Sequence, residues 1–212
     1  GIDAAEKLTL LAFKAFGAYV PPEQVHTEGV TKIGQVDVRL ATALDHRIKL
    51  VAEARRGDDG LSLRVHPALV HRGELLADVE SEFNAIILEG PGFKELTFLG
   101  KGAGELPTAS AVLNDIVKMI RQPDTSTLPG FRRAGGDFQL ADTRSLKLCY
   151  FLRLAVETAN VDEVLDAVRG MGLVVLSHAQ LDHGGQNFLG VITDVVEESR
   201  MMSALSEIAK LA

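Results

Sequence analysis

From Asp3 to about Ala18 the sequence DAAEKLTLLAFKAFGA places Leu8, Leu11 and Ala15 on one helical stripe, with Leu10, Phe13 and Phe16 beside it. A helix apolar over so much of its circumference is expected to be buried, and Pro21-Pro22 to end it. Gln35 to Asp45 (QVDVRLATALD) reads as a second helix. Alternation of period two then takes over. RIKLVAEARR, a GDDG turn and LSLRVHPAL predict one hairpin; FNAIILEG and KELTFLG, joined by PGF, predict another. The second hairpin runs into Gly100–Asp115, GKGAGELPTASAVLND, a glycine-rich turn feeding a helix from about Ala109 to Arg121, with Thr108 as its expected N-cap.

The next stretch, QPDTSTLPGFRRAGGDFQLADTRS, has scattered prolines, glycines and charges without periodicity, and reads as a linker. Beyond it come a strand (LKLCYFLRLAV), a helix (VDEVLDAVRGM), a strand (LVVLSHAQL), a turn (HGGQN), a strand (FLGVITDV) and a helix (EESRMMSALSEIAKL). This β-α-β-β-α order is a ferredoxin-like arrangement without its last strand. No internal repeat relates the two halves.

Composition narrows the classes. The chain has 212 residues, enough for one large domain or two small ones, and 46% hydrophobic content is ordinary for a globular protein. A formal charge of −7 argues against nucleic acid and anionic membrane as partners, because both require a basic face. Apolar runs such as LTLLAFKAF and NAIIL are too short to span a bilayer, and no secretion signal opens the chain. The single cysteine, Cys149 in LKLCYFL, reads as a buried small hydrophobe of a reduced, cytoplasmic protein. Gly1 runs straight into a helix, and no Gly or Pro terminator follows Ala204–Leu211, so the chain is expected to belong to a longer protein.

Two stretches carry candidate chemistry. In GIDAAEK, Asp3 and Lys7 stand four apart and share a helical face. Such a pair is either an ordinary ion pair or a site for an amino group or hydroxyl, in which the lysine moves a proton. The loop GKGAGELPT matches neither the P-loop nor the G-x-G-x-x-G fingerprint. It is either a tight strand-to-helix connection or a place where a ligand approaches glycine backbone at a helix N-terminus. His26, His46, His66, His71, His178 and His183 show no ligand spacing, so no metal site is expected. No GxSxG elbow occurs, Met201 and Met202 read as core, and Glu197, Glu198 and Arg200 as a solvated helix face.

GIDAAEK resembles the end of the homoserine dehydrogenase signature, G-x-D-x-x-x-K. The likeness continues collinearly through EGVTKI, the Asp37…Ala41 helix, IKLVAEA, VHPALV, LLADVESEFNAI and GKGAGELPTASAVLND. It covers nearly all of residues 1 to 120. The resemblance implies a nucleotide-binding domain ahead of Gly1 and a substrate and dimerisation domain of helices on a mixed sheet. It further implies that Asp3 binds the substrate's amino group or hydroxyl. Lys7 would bind and orient the reacting oxygen and carry its proton, the catalytic role, and Gly102, Ala103 and Gly104 would face the cofactor near the nicotinamide. The reaction implied is interconversion of L-homoserine and L-aspartate 4-semialdehyde with NADP or NAD, on the route to threonine and methionine. The 212 residues alone are then expected to be inactive. Lys101, where the family usually has Pro, adds a charge beside the loop that would favour a phosphorylated cofactor.

From about Ser145 the chain resembles an ACT domain, a βαββαβ module that often senses amino acids; YFLRLAV, the helix from Val161, Gln180 and GVITDV carry the likeness. In homoserine dehydrogenases this extension is associated with feedback inhibition by L-threonine. Two departures stand out: Glu157-Thr158-Ala159-Asn160 replaces the usual D-x-P-G turn, and the fourth strand is absent. The expected fold class is α/β (α+β): a mixed-sheet substrate and dimerisation domain at 1–122, a linker at 123–144, and a ferredoxin-like ACT domain at 145–212. A homodimer or homotetramer is expected. The alternative is a non-catalytic amino-acid-binding or oligomerisation module that reuses these domains.

Overall fold

The computed structural model describes residues 1–121, 138–142, 146–156 and 161–211. Most of the expected linker and the Glu157–Asn160 turn lie outside the described residues. Among the described residues the fold is mixed α/β, with several small sheets and five α-helices. It forms two compact units, Gly1–His71 with Ala134–Ala212 and Arg72–Arg133, so the first unit draws on both ends of the chain.

In the first unit, helix α1 (Ile2–Phe16) lays Ala5, Leu8, Thr9 and Ala12 against a sheet. Small side chains at 5, 9 and 12 admit a close approach, and the Thr9 hydroxyl donates to the Ala5 carbonyl at 3.1 Å. Leu10 and Leu11 are exposed. The helix is therefore buried on one side, not around its circumference, because shape complementarity selects the small-residue stripe over the most hydrophobic one. Gly17 ends α1 in a left-handed C-cap (φ 70°), its N–H donating to the Phe13 carbonyl at 2.9 Å. That stop comes before Pro21-Pro22 is reached.

Strand β1 (His26–Thr27) precedes helix α2 (Gln35–Ala43), which begins where the Gly34 N–H donates to Asp37 Oδ2 at 2.8 Å. Strands β2 (His46–Gly57) and β3 (Gly60–His71) pair antiparallel along their full length, and β1 joins β3 in parallel. Leu61, Leu63 and Val65 alternate onto the face that meets α1. The Leu61 N–H donates to the Gln139 carbonyl at 2.9 Å, and the Ala141 N–H to the Leu61 carbonyl at 3.0 Å. The end of the expected linker thus pairs with β3.

The second unit holds the antiparallel hairpin of β4 (Phe83–Gly90) and β5 (Lys94–Lys101), followed by helix α3 (Glu105–Arg121). Thr108 is not the N-cap: its N–H donates to the Gly104 carbonyl at 3.1 Å, inside the first turn. Leu113, Ile116, Val117 and Ile120 form an apolar stripe on α3, and all four are exposed.

The chain then returns to the first unit with β6 (Lys147–Leu148), β7 (Phe151–Val156), α4 (Val161–Gly170), β8 (Val175–His183), β9 (Gln186–Thr193), β10 (Val196–Glu197) and α5 (Glu198–Leu211). Strands β7, β9 and β8 form an antiparallel sheet in that order, while β6 pairs with β10. The run LKLCYFLRLAV is thus two strands, and Cys149 falls in the break between them, exposed rather than buried. One face of the larger sheet (Leu152, Val156, Leu189, Val191) packs with Leu165 and Val168 of α4 and with Met201 and Ala204 of α5. Met202 is exposed. The other face meets α2: a Cβ on Gly190 would stand 3.2 Å from Leu40 Cβ, and Arg153 Nη1 lies 2.6 Å from Asp37 Oδ2.

Candidate functional site

The start of α1 is seated on β1 and β3. A Cβ added to Gly1 would come 2.9 Å from Thr27 Cγ2 and 3.3 Å from Val65 Cγ1. From this seat Asp3 and Lys7 point outward, Lys7 Nζ lying 2.8 Å from Asp3 Oδ2 with their side chains 68% and 78% exposed respectively. The pair is accessible, not buried as the helix pattern suggests. An exposed pair of this kind adds little to stability, roughly 0.3–0.5 kcal/mol. A fixed carboxylate beside an ammonium, open to solvent, can bind a hydroxyl or an amino group and pass a proton between oxygen and nitrogen.

The glycine loop lies in the second unit and is clamped by residues 82–84. The Gly102 N–H donates to the Glu82 carbonyl at 2.8 Å. Lys101 Nζ lies 3.0 Å from Glu82 Oε1 and 5.7 Å from the centre of the Phe83 ring. Lys101 holds the Glu82 carboxyl below the usual range, helped by a hydrogen bond from the residue's own backbone. A Cβ on Gly102 would run into the Asn84 carboxamide. Glycine is favoured at 104 because its φ is +118°, whereas at 102 an added methyl would have only to displace the exposed Asn84 side chain. Ala103 lies between them, and Gly100 has open space where a Cβ would sit. With Lys101 paired to Glu82 and Glu105 in the first turn of α3, the loop offers no net positive charge for a phosphate.

This crowding gives a test. Gly102→Ala is expected to change stability by no more than about 0.5 kcal/mol, because the exposed Asn84 side chain can swing aside. Urea unfolding of Gly102→Ala checks this; a loss of several kcal/mol would contradict the easy displacement of Asn84.

Other groups contribute less. His46 and His71, dispersed in sequence, are register partners with ring centres 5.3 Å apart, and His71 Nε2 lies 3.3 Å from Asp45 Oδ2. Among the described residues no group of three or more His, Cys, Asp or Glu side chains could hold a metal. No helix among them is long and apolar enough to cross a membrane. An open cleft beside the loop is lined by Glu74, Asp78, Glu80, Glu82, Phe83 and Leu99. Sequence reasoning missed two ion pairs, Asp37–Arg153 and Arg64–Glu198. Arg64 falls at the polar phase of a strand and Glu198 in the charged run EESR, so both read as solvent-facing.

The homoserine dehydrogenase family profile matches residues 1–117. The chain belongs to the homoserine dehydrogenase family. The chain is similar to the homoserine dehydrogenase of Pseudomonas aeruginosa, at 44% identity over 121 aligned residues, which cover 57% of this chain and 28% of that protein. The Helicobacter pylori homoserine dehydrogenase is 31% identical across 100% of the chain and 51% of its own length. The crystal structure of a homoserine dehydrogenase from Thiobacillus denitrificans superposes with a TM-score of 0.84 at 32% identity, covering 98% of this chain and 49% of that one. The chain thus spans about half the length of the relatives that match it throughout.

Proposed function

We propose that this protein interconverts L-homoserine and L-aspartate 4-semialdehyde with NADP or NAD, in threonine and methionine biosynthesis. The observation that carries the reading is the Asp3–Lys7 pair, 2.8 Å apart on a helix whose start is seated on β1 and β3, within the segment that the family profile matches. In the oxidising direction Lys7, as the free amine, accepts the hydroxyl proton of homoserine as the carbonyl forms. In the reducing direction its ammonium donates that proton to the carbonyl oxygen, while the Asp3 carboxylate holds the ammonium or the substrate's amino group. The bound nicotinamide cofactor supplies the hydride donor or acceptor.

The loop at Gly102, Ala103 and Gly104 fits the uncharged end of such a cofactor. Its glycines and the start of α3 allow close approach, and its lack of free positive charge argues against a phosphate there. Lys101, committed to Glu82, gives no support to a preference for the phosphorylated cofactor. The β-α-β-β-α order of the C-terminal segment supports an ACT-type module at 145–212 that senses L-threonine, with 1–122 as the substrate and dimerisation domain and a homodimer or homotetramer as the assembly.

The test is oxidation of L-homoserine by the full-length gene product with each cofactor, titrated with L-threonine. Cofactor reduction that depends on homoserine is expected, falling as threonine is added. No reduction with either cofactor overturns the enzyme reading; reduction indifferent to threonine overturns the regulatory part alone.

A further inference from the structure

Glu198 opens α5, and Arg64 lies in the middle of β3; Arg64 Nη1 and Glu198 Oε2 are 3.3 Å apart with side chains only 8% and 10% exposed. The Glu198 N–H donates to the Leu146 carbonyl at 2.9 Å, which fixes the helix start. Tyr150 belongs to the same cluster: burial first, and then the Glu198 carboxylate, push its phenol above the ordinary range, while Arg64 opposes them. On β3 the next residue is Val65, fully buried in the core under α1. Val65 Cγ1 supports Gly1, and the Val65 carbonyl accepts the Glu28 N–H at 2.7 Å. Alternation along the strand therefore puts the seat of α1 on one face and the Arg64–Glu198 pair on the other.

We propose that the Arg64–Glu198 pair positions the start of α1, so that the C-terminal module sets how Asp3 and Lys7 are presented. The inference rests on the functional reading of that pair. Removing the Glu198 carboxylate leaves a guanidinium buried without its counter-charge, which is driven toward water. Arg64 is neighbour in β3 to Val65, on which Gly1 rests, so a guanidinium drawn toward water pulls on the segment that seats α1. Arg64 and Glu198 touch no reacting group; they are positioning residues.

Hydrogen exchange read by mass spectrometry on the full-length gene product tests this, with Glu198→Gln compared with the exposed neighbour Glu197→Gln. In Glu198→Gln the amides of Ala5–Thr9 are expected to exchange at least about tenfold faster, while those of α4 stay within about threefold. Helix α4 shares a core with α5, so a merely structural loss would loosen α4 first. Unchanged exchange in α1, or equal acceleration of α1 and α4, overturns the proposal. Should Glu198→Gln fail to fold, the double variant Arg64→Met, Glu198→Met removes both charges and should leave α1 exchanging at close to the wild-type rate; faster exchange confined to α1 in that variant counts against the charge argument. In homoserine oxidation Glu198→Gln should lower kcat/KM at least about threefold, through kcat as well as KM because Asp3 and Lys7 share the displaced segment, and Glu198→Asp should restore part of it. A wild type without that activity defeats the functional reading, while the exchange result still decides the link between Glu198 and α1.

Discussion

Gly60→Ala is expected to destabilise the protein by about 2–4 kcal/mol, lowering its thermal midpoint by roughly 10 °C. Two causes act together. Gly60 has φ +128°, a conformation that costs any other residue steric strain. A Cβ there would also run into the Gln139 carbonyl and approach the Ala141 nitrogen to 3.1 Å. Those are the backbone groups that pair residues 139–141 with Leu61. The methyl can be admitted only by detaching that segment from β3. Gly100→Ala is the control: it has nothing within 4 Å of the added carbon, and its midpoint should move little. Equal shifts in thermal unfolding would contradict the assignment of strain to position 60.

Lys7→Ala should leave the fold intact and reduce kcat/KM for homoserine oxidation on the order of a hundredfold or more, the contribution of a positioned acid–base group. The separation follows from exposure. With most of its side chain in solvent, Lys7 supports the helix only through a screened ion pair, so unfolding should be nearly unchanged. The kinetic loss should fall on kcat, because the amine is needed as the proton moves, whereas Asp3→Ala should act more on KM by removing a substrate ligand.

Much of the fold was legible because turns and alternation agree. FNAIILEG and KELTFLG became β4 and β5, with only the end of β5 one residue further on at Lys101, since the PGF turn fixes the register between two alternating runs. The helix boundaries were set by glycine instead: Gly17 and Gly104 act before the proline and threonine that sequence rules favour. The buried face of α1 was misread because small residues, invisible to hydropathy, make the close contact with the sheet. Family likeness brought out Asp3 and Lys7, whose spacing alone equally describes a surface ion pair. Nothing local could reveal Glu198, because its partner lies 134 residues away in sequence and reaches it only through packing of the C-terminal segment on β3. At Gly102 the sequence suggested room for a ligand, yet the space belongs to Asn84, whose proximity depends on hairpin register.

The most direct measurement is kcat/KM for L-homoserine oxidation by the full-length gene product, set beside Lys7→Ala and Lys14→Ala, the latter exposed at the far end of the same helix. Activity in the wild type, kept by Lys14→Ala and lost about a hundredfold or more by Lys7→Ala, is the predicted result. An active wild type in which both lysine variants behave alike would contradict the claim that the Asp3–Lys7 pair performs the chemistry.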